Sequence, residues 1–333
     1  MVGGANILKM VLPIEREGIM RRILYVLIAV VLLLTLVLSG CTANVGTAPQ
    51  WEATITVGSK IDTEGALLSQ IIIVLMRDRG YIAIDKSQFG PTNEVRQALL
   101  SGELDIYPEY TGNGASFFGE VESDVWHDAR KAYERVKQLD MEKNNIVWLK
   151  PAPANNTLTI AIPPDLSSAE GISTLDDFAA YVNRGGDVKL IGAGEAVIGS
   201  EALSKFQEVY GFILNEDQLI TASNDDTTQV LKAASQGTGG ANAAMAYGTD
   251  AALGAFGLII LDDPRSAQPV YQPAPTVRGK LIEEHPDIAE ILERVFARLS
   301  RMTLQGLNAR IAIDGEKPFE VANSYLHQIG VTR

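Results

Sequence analysis

The side chains that most often carry catalysis are sparse in this 333-residue chain, and their spacing argues against a reaction. His127, His285 and His327 are the only histidines. They lie in charged, helix-like segments with neither metal-ligand spacing nor an evident nucleophile beside them. No Walker-type phosphate loop is present, and no Gly-x-Gly-x-x-Gly follows a strand. What remains is aromatic and cationic: Tyr110, Tyr247 and Tyr271 near strand ends or turns, and Lys60 at the close of the first strand. A tyrosine ring offers an electron-rich face while its hydroxyl is fixed elsewhere. Taken singly, each of these tyrosines reads as a half-buried core residue and Lys60 as a surface lysine.

The single thiol, Cys41, has a context of its own. Met20-Arg21-Arg22 is a short basic stretch, Ile23 to Leu38 is apolar or aromatic but for Thr35, and the run closes on Leu38-Ser39-Gly40-Cys41. A basic start, an apolar run and small residues are the marks of a secretory signal. Small residues followed directly by cysteine resemble the lipobox of bacterial lipoproteins, in which the thiol is acylated after cleavage. The expectation is a signal peptide over 1–41, with the mature chain starting at Cys41. The alternative is an uncleaved anchor, since a bilayer takes about 20 apolar residues. Both place the rest of the chain outside the inner membrane, in the periplasm or on the outer cell face. Met20 is an alternative start to Met1. Residues 42–50 are small and polar and read as a flexible tether. No cysteine follows Cys41, so the core must hold the fold without disulfides. The whole chain carries −13; Lys9, Arg16, Arg21 and Arg22 against Glu15 and Glu17 are removed with the signal, leaving about −15. That argues against a nucleic-acid partner and otherwise mainly favours solubility.

The elements that must position these residues alternate. Strand patterns at Ala53–Gly58, Tyr81–Ile84 and Leu104–Tyr107 enclose helices opened by Asp62 or Thr63 and by Thr92 or Asn93. Such a βαβαβ order predicts a parallel sheet wound by helices. The order recurs: strands at Leu158–Ile162, Val188–Gly192 and Asn242–Tyr247, helices at Leu175–Val182, Glu201–Val209 and Gln229–Ser235. Beyond Pro264 a proline-rich stretch leads into helices Lys280–Glu284, Asp287–Met302, Leu304–Ile311 and Phe319–Ile329. Two α/β units with a helical return predict two lobes joined by backbone crossings, with a ligand between them.

Certain segments carry a more specific signal. They are Val57-Gly58-Ser59-Lys60, then Gly102 through Gly112 with its Tyr107-Pro108-Glu109-Tyr110-Thr111-Gly112, then Ala244-Met245-Ala246-Tyr247-Gly248-Thr249-Asp250, and finally Leu261-Asp262-Asp263-Pro264 leading to Pro269 through Arg278. In this order they resemble the glycine betaine, choline and osmoprotectant-binding proteins of ABC importers, over about 53–330. Pro153 through Thr157 and Asn242 through Asp250 point within them to the osmoprotectant-uptake branch. The resemblance implies an α/β, two-lobed periplasmic-binding-protein fold of the second type, hinged by two crossings near Asn155 and Gln268. Lobe I would hold 51–154 plus 268–333, and lobe II 155–267. It also implies a monomer without cofactor or metal, working with ABC permease and ATPase subunits.

The resemblance assigns Tyr110, Tyr247 and Tyr271 to an aromatic cage. A quaternary ammonium has no N–H to donate, so ring faces are its fitting partners, each worth about 0.5–2 kcal/mol. Lys60 matches the position that meets the ligand's negative end, and Asn113, in the same loop as Tyr110 and Thr111, offers a further donor. Two departures stand out: Thr157 where related binders carry a cage tyrosine, and Gly199 where they carry an arginine for a carboxylate. They leave open a different small solute, or a lipoprotein that presents its ligand to a sensor. Glu109 is expected to organise its loop, Tyr107, Trp51, Trp126 and Trp148 to pack, and Arg278 to anchor lobe I. Asp226 and Thr227 read as a helix cap, or as a site for an anionic ligand end.

Overall fold

The computed structural model describes Tyr25 and residues 53–193, 201–222 and 227–332. The chain divides into two units, 1–50 and 51–333. Of the first, Tyr25 alone is described, as an exposed helical residue. The expected signal run, Cys41, the tether and Trp51 therefore lie outside the described residues, as do Gly199 and Asp226. Among the described residues, no helix is long and apolar enough to cross a membrane.

Among the described residues, the second unit contains two mixed five-stranded sheets. The strands are β1 (Thr54–Lys60), β2 (Ile82–Gly90), β3 (Ile106–Tyr110), β4 (Ile146–Trp148), β5 (Leu158–Ile162), β6 (Leu190–Ala193), β7 (Leu219–Ala222), β8 (Ala243–Tyr247), β9 (Ile259–Ile260) and β10 (Pro273–Arg278). Their orders are β2-β1-β3-β10-β4 and β7-β6-β8-β5-β9. The two orders correspond position by position: in each sheet three parallel strands are followed by an antiparallel fourth. The parallel order read from the βαβαβ pattern holds for β2-β1-β3, and β10, which that pattern did not include, adds an antiparallel strand. The fourth strand is β10 in the first sheet and β5 in the second, and each follows directly on a crossing between lobes.

Period-2 alternation puts a core on both faces of each sheet. Ile106 packs with Ile55, Ile71 and Phe296 on one face of the first sheet, while its neighbour Tyr107 packs with Trp126, Val136 and Trp148 on the other. In the second sheet Ile160 and Met245 join Phe178 and Phe206, while Ala161, Ala244 and Ala246 face Val230 and Leu253. The helix Thr63–Asp78 is buried along almost its whole length; Asp62 caps it by accepting from Gly65 N at 2.7 Å.

Three segments depart from the sequence reading. The proline-rich Pro273–Arg278 is a central strand. Its register opposes Pro275 to Pro108, so neither chain needs an N–H there, and the carbonyls of Pro275 and Pro273 accept from Leu149 and Ala152. The helix expected over Asp287–Met302 ends at Phe296, and a new one, Arg301–Ala312, starts where the Ser300 side chain accepts from Thr303 N. The helix Ala129–Asn144, unread in the sequence, buries only Ala132, Val136, Leu139 and Asp140. Its carboxylate Asp140 takes Arg96 in a two-pronged ion pair and Trp148 Nε1 at 2.6 Å.

The two crossings run side by side and are laced together. Asn156 N donates to Tyr271 O at 2.9 Å, Tyr271 N donates to Asn155 Oδ1 at 2.8 Å, and Thr157 Oγ1 donates to Pro269 O at 2.8 Å.

Candidate functional site

Parallel pairing of β1 and β3 brings their carboxyl ends together, so Lys60 and Tyr110 close the two strands as neighbours. β10 opens opposite Tyr110, which sets Tyr271, two residues earlier, just beyond that edge. In the second sheet Leu158 pairs with Tyr247, so the first crossing and the end of β8 meet. These ends border one cavity of about 790 Å³ between the sheets. Lys60, Tyr110, Asn113, Thr157, Tyr247 and Tyr271 all line it.

Each arrives by a different route. The Lys60 ammonium is 4.6 Å from the centre of the Tyr110 ring and donates to Glu109 Oε1 at 2.5 Å. Glu109, fully buried, also accepts from Tyr107 OH at 3.0 Å, from Tyr110 N at 2.7 Å and from Asn113 Nδ2 at 2.7 Å. It is the post around which this loop is tied. Tyr107 is likewise buried, with desolvation and the nearby Glu109 charge holding its hydroxyl protonated far above the usual tyrosine range. Arg278 pairs with Asp105 and donates to Gly102 O within the first lobe.

Tyr110 is 7% exposed and its hydroxyl donates to Glu64 Oε1 at 2.6 Å. Burial raises the Glu64 carboxyl above its ordinary range and raises the Tyr110 hydroxyl far above its own. The other Glu64 oxygen accepts from Asn308 Nδ2 at 2.7 Å. Tyr271 is partly buried, and burial, with Tyr247 and Glu109 nearby, raises its hydroxyl. Gly112 lets that ring lie close: a Cβ there would sit 2.8 Å from Tyr271 Cε1 and 2.8 Å from Val270 O. Tyr247 is 46% exposed.

One expected contact, Thr111, is placed otherwise. Thr111 is fully buried and does not border the cavity; its hydroxyl donates to Val270 O at 3.0 Å and accepts from Gln272 N at 3.1 Å. It fastens the second crossing instead of facing a ligand. Thr157 lines the cavity as expected, with its hydroxyl donating to Pro269 O. Thr227 opens the helix Thr227–Gln236 at the cavity wall.

Sequence reasoning missed Glu64, Asn156, Leu158, Gln268 and Asn308, which line the same cavity. Glu64 had a legible signal: a carboxylate four residues after Lys60, at the head of a mostly apolar helix. Asn308, between Leu307 and Ala309, falls in none of the motifs that the sequence offered. Among the described residues, no cluster of three or more His, Cys, Asp or Glu is arranged to hold a metal.

Comparison with known proteins adds an independent line. Residues 53–328 match the family described as the substrate binding domain of ABC-type glycine betaine transport system. The glycine betaine-binding protein YehZ of Escherichia coli K12 is 48% identical over 279 residues, covering 84% of this chain and 92% of that protein. A glycine-betaine-binding protein of Pseudomonas aeruginosa is 31% identical, covering 83% and 88%. The solved apo structure of E. coli YehZ superposes with a TM-score of 0.79 over 84% of this chain and 99% of that one.

Proposed function

For a chain that belongs to the family of substrate-binding domains of ABC-type glycine betaine transport systems, we propose the task of capturing a quaternary-ammonium osmoprotectant, such as glycine betaine or choline, and delivering it to an ABC permease driven by an ATPase. The observation that carries this reading is the shared cavity: Tyr110, Tyr247 and Tyr271, from one lobe, the other and the crossing between them, border it together with Lys60. Three ring faces at about 1–2 kcal/mol each, with burial of the ligand methyl groups, approach the ~8 kcal/mol of a micromolar complex. The relatives named for glycine betaine support the same ligand class.

In this reading the protein is a binder and not an enzyme. It acts as a monomer, with lobe I built from 51–154 and 268–333 and lobe II from 155–267. The laced crossings serve as the hinge on which the lobes close. Export by the signal, acylation of Cys41 and the 42–50 tether would hold it at the membrane outside the cytoplasm. Calorimetry of the purified protein with glycine betaine, choline, carnitine and proline betaine tests the proposal. Micromolar binding of at least one is expected, with that binding weakened in Tyr271→Ala. Silence with all four would remove it.

A further inference from the structure

Polar residues from both sheets close into one hydrogen-bonded loop beside the cavity. Tyr110, at the end of β3, donates its hydroxyl to Glu64 Oε1 at 2.6 Å and is itself hydrogen-bonded by the Asn156 side chain on the first crossing. Asn156 Oδ1 accepts from Thr249 N at 3.4 Å. Thr249 O accepts from Asn308 Nδ2 at 3.1 Å, and the same amide returns to Glu64, donating to Oε2 at 2.7 Å. The Thr249 side chain hydrogen-bonds the Glu64 carboxyl directly as well.

The loop joins the two sheets. Glu64 heads the helix Thr63–Asp78 in the core of the first sheet, and Leu304 and Leu307 bring the helix Arg301–Ala312 into that same core. Thr249 lies instead in the turn between β8 and the helix Ala251–Phe256, whose Ala252 and Leu253 pack with the second sheet. That turn has little freedom. Gly248 N donates to Thr157 O at 2.9 Å, Gly248 O accepts from Gln305 Nε2 at 2.9 Å, and a Cβ on Gly248 would lie 2.1 Å from Asn155 O. Tyr247 immediately precedes it in the chain. The carboxyl that holds the Tyr110 hydroxyl thus also holds, through Thr249, the segment that carries Tyr247.

The junction asks for a carboxylate. Ionised, it offers two acceptor oxygens and no donor to the tyrosine hydroxyl, the threonine hydroxyl and the asparagine amide that converge on it. A glutamine there would turn its own N–H groups toward one of those donors, and Glu64 is too buried for water to make good the loss.

We propose that Glu64 is a positioning residue for ligand binding: it holds Tyr110 of the first sheet and the Thr249 turn of the second in one loop, and so fixes the spacing of the Tyr110 and Tyr247 rings at the cavity. The inference rests on the quaternary-amine reading above and adds a residue that acts through the rings.

The test titrates glycine betaine and choline calorimetrically into the parent and its variants. Glu64→Gln should weaken the tighter ligand about tenfold, the worth of one hydrogen bond. Tyr110→Phe, which keeps the ring and removes only the hydroxyl, should weaken it by a similar factor. Because both changes act on one ring, the double variant should bind within about twofold of the weaker single one. Thr249→Val, which reaches the loop from the other sheet, should combine with Tyr110→Phe in the same non-multiplying way, and that pair carries the test if Glu64→Gln does not fold. Tyr81→Phe removes a buried hydroxyl bond to Asp287 outside the cavity and should leave affinity within about twofold. Unchanged affinity in Glu64→Gln overturns the inference. So do losses that multiply in the double variants, because a carboxylate acting directly on the ligand cation would keep its effect without the Tyr110 hydroxyl. An equal loss in Tyr81→Phe also overturns it, by showing that any destabilisation of the first sheet weakens binding. In those cases the quaternary-amine reading stands, whereas failure of both ligands to bind the parent overturns both.

Discussion

The two lobes offer the cavity unlike walls. On the first, Tyr110 is held from every side: its hydroxyl by Glu64, its backbone N–H by Glu109, its ring beside the Lys60 ammonium. On the second, Tyr247 stands nearly half exposed at the end of β8. Tyr271 is intermediate, seated on the crossing by Asn155 and by the room that Gly112 leaves. The first wall is therefore built into the lobe's stability, and in the proposed function the second is the surface left to gain contacts with the ligand. A residue that serves both a core and a proposed ligand contact cannot be altered for one property alone.

Substitutions should separate these roles. Tyr110→Ala should have the largest effect, abolishing measurable ligand binding and destabilising by about 3–5 kcal/mol, as for other buried aromatics. In thermal melts that is a fall of roughly 10 °C; an unchanged melting temperature would mean the ring is not part of the core. Tyr271→Ala should lower affinity about tenfold by calorimetry, from one lost ring face. Gly112→Ala should mimic it in part, because the added methyl displaces the same ring. Tyr247→Ala should weaken binding about threefold to tenfold while the ligand-free melting temperature moves by no more than about 2 °C. A larger drop would erase the contrast between the walls.

The smallest effect concerns pH. Burial raises the folded-state Glu64 carboxyl above its ordinary 4.5. The folded chain therefore holds that proton more tightly than the unfolded one. The resulting stabilisation is complete below about pH 4.5 and is lost as pH rises through the higher folded value. Relative to Glu64→Gln, the parent should lose melting temperature as pH climbs from 4.5 towards neutrality. A constant difference would show that Glu64 titrates normally.

Much of this was legible in the sequence, for identifiable reasons. The alternating apolar runs gave β5 its observed limits, and strand ends carrying Lys60, Tyr110 and Tyr247 were visible as motifs. What escaped was whatever depended on partners distant in the chain. Pro273–Arg278 looks unlike a strand until Pro108 is set opposite Pro275. The helix Ala129–Asn144 looks wholly solvated until Asp140 meets Arg96 and Trp148. Thr111 could not be told from a ligand contact without Val270 and Gln272 beside it, and Asn308 acquires a meaning only through Glu64, 244 positions away.

The place of β10 in the first sheet has a consequence for how the molecule comes into being. That sheet is interrupted between β3 and β4 until residues 273–278 are available, whereas every strand of the second sheet lies within 158–260. A chain threaded outward from its amino end would thus shape its middle before its beginning, and the first lobe would stay open and unfinished until synthesis is nearly over. In refolding followed by hydrogen exchange, amides of 158–162 and 243–247 should gain protection ahead of those of 106–110.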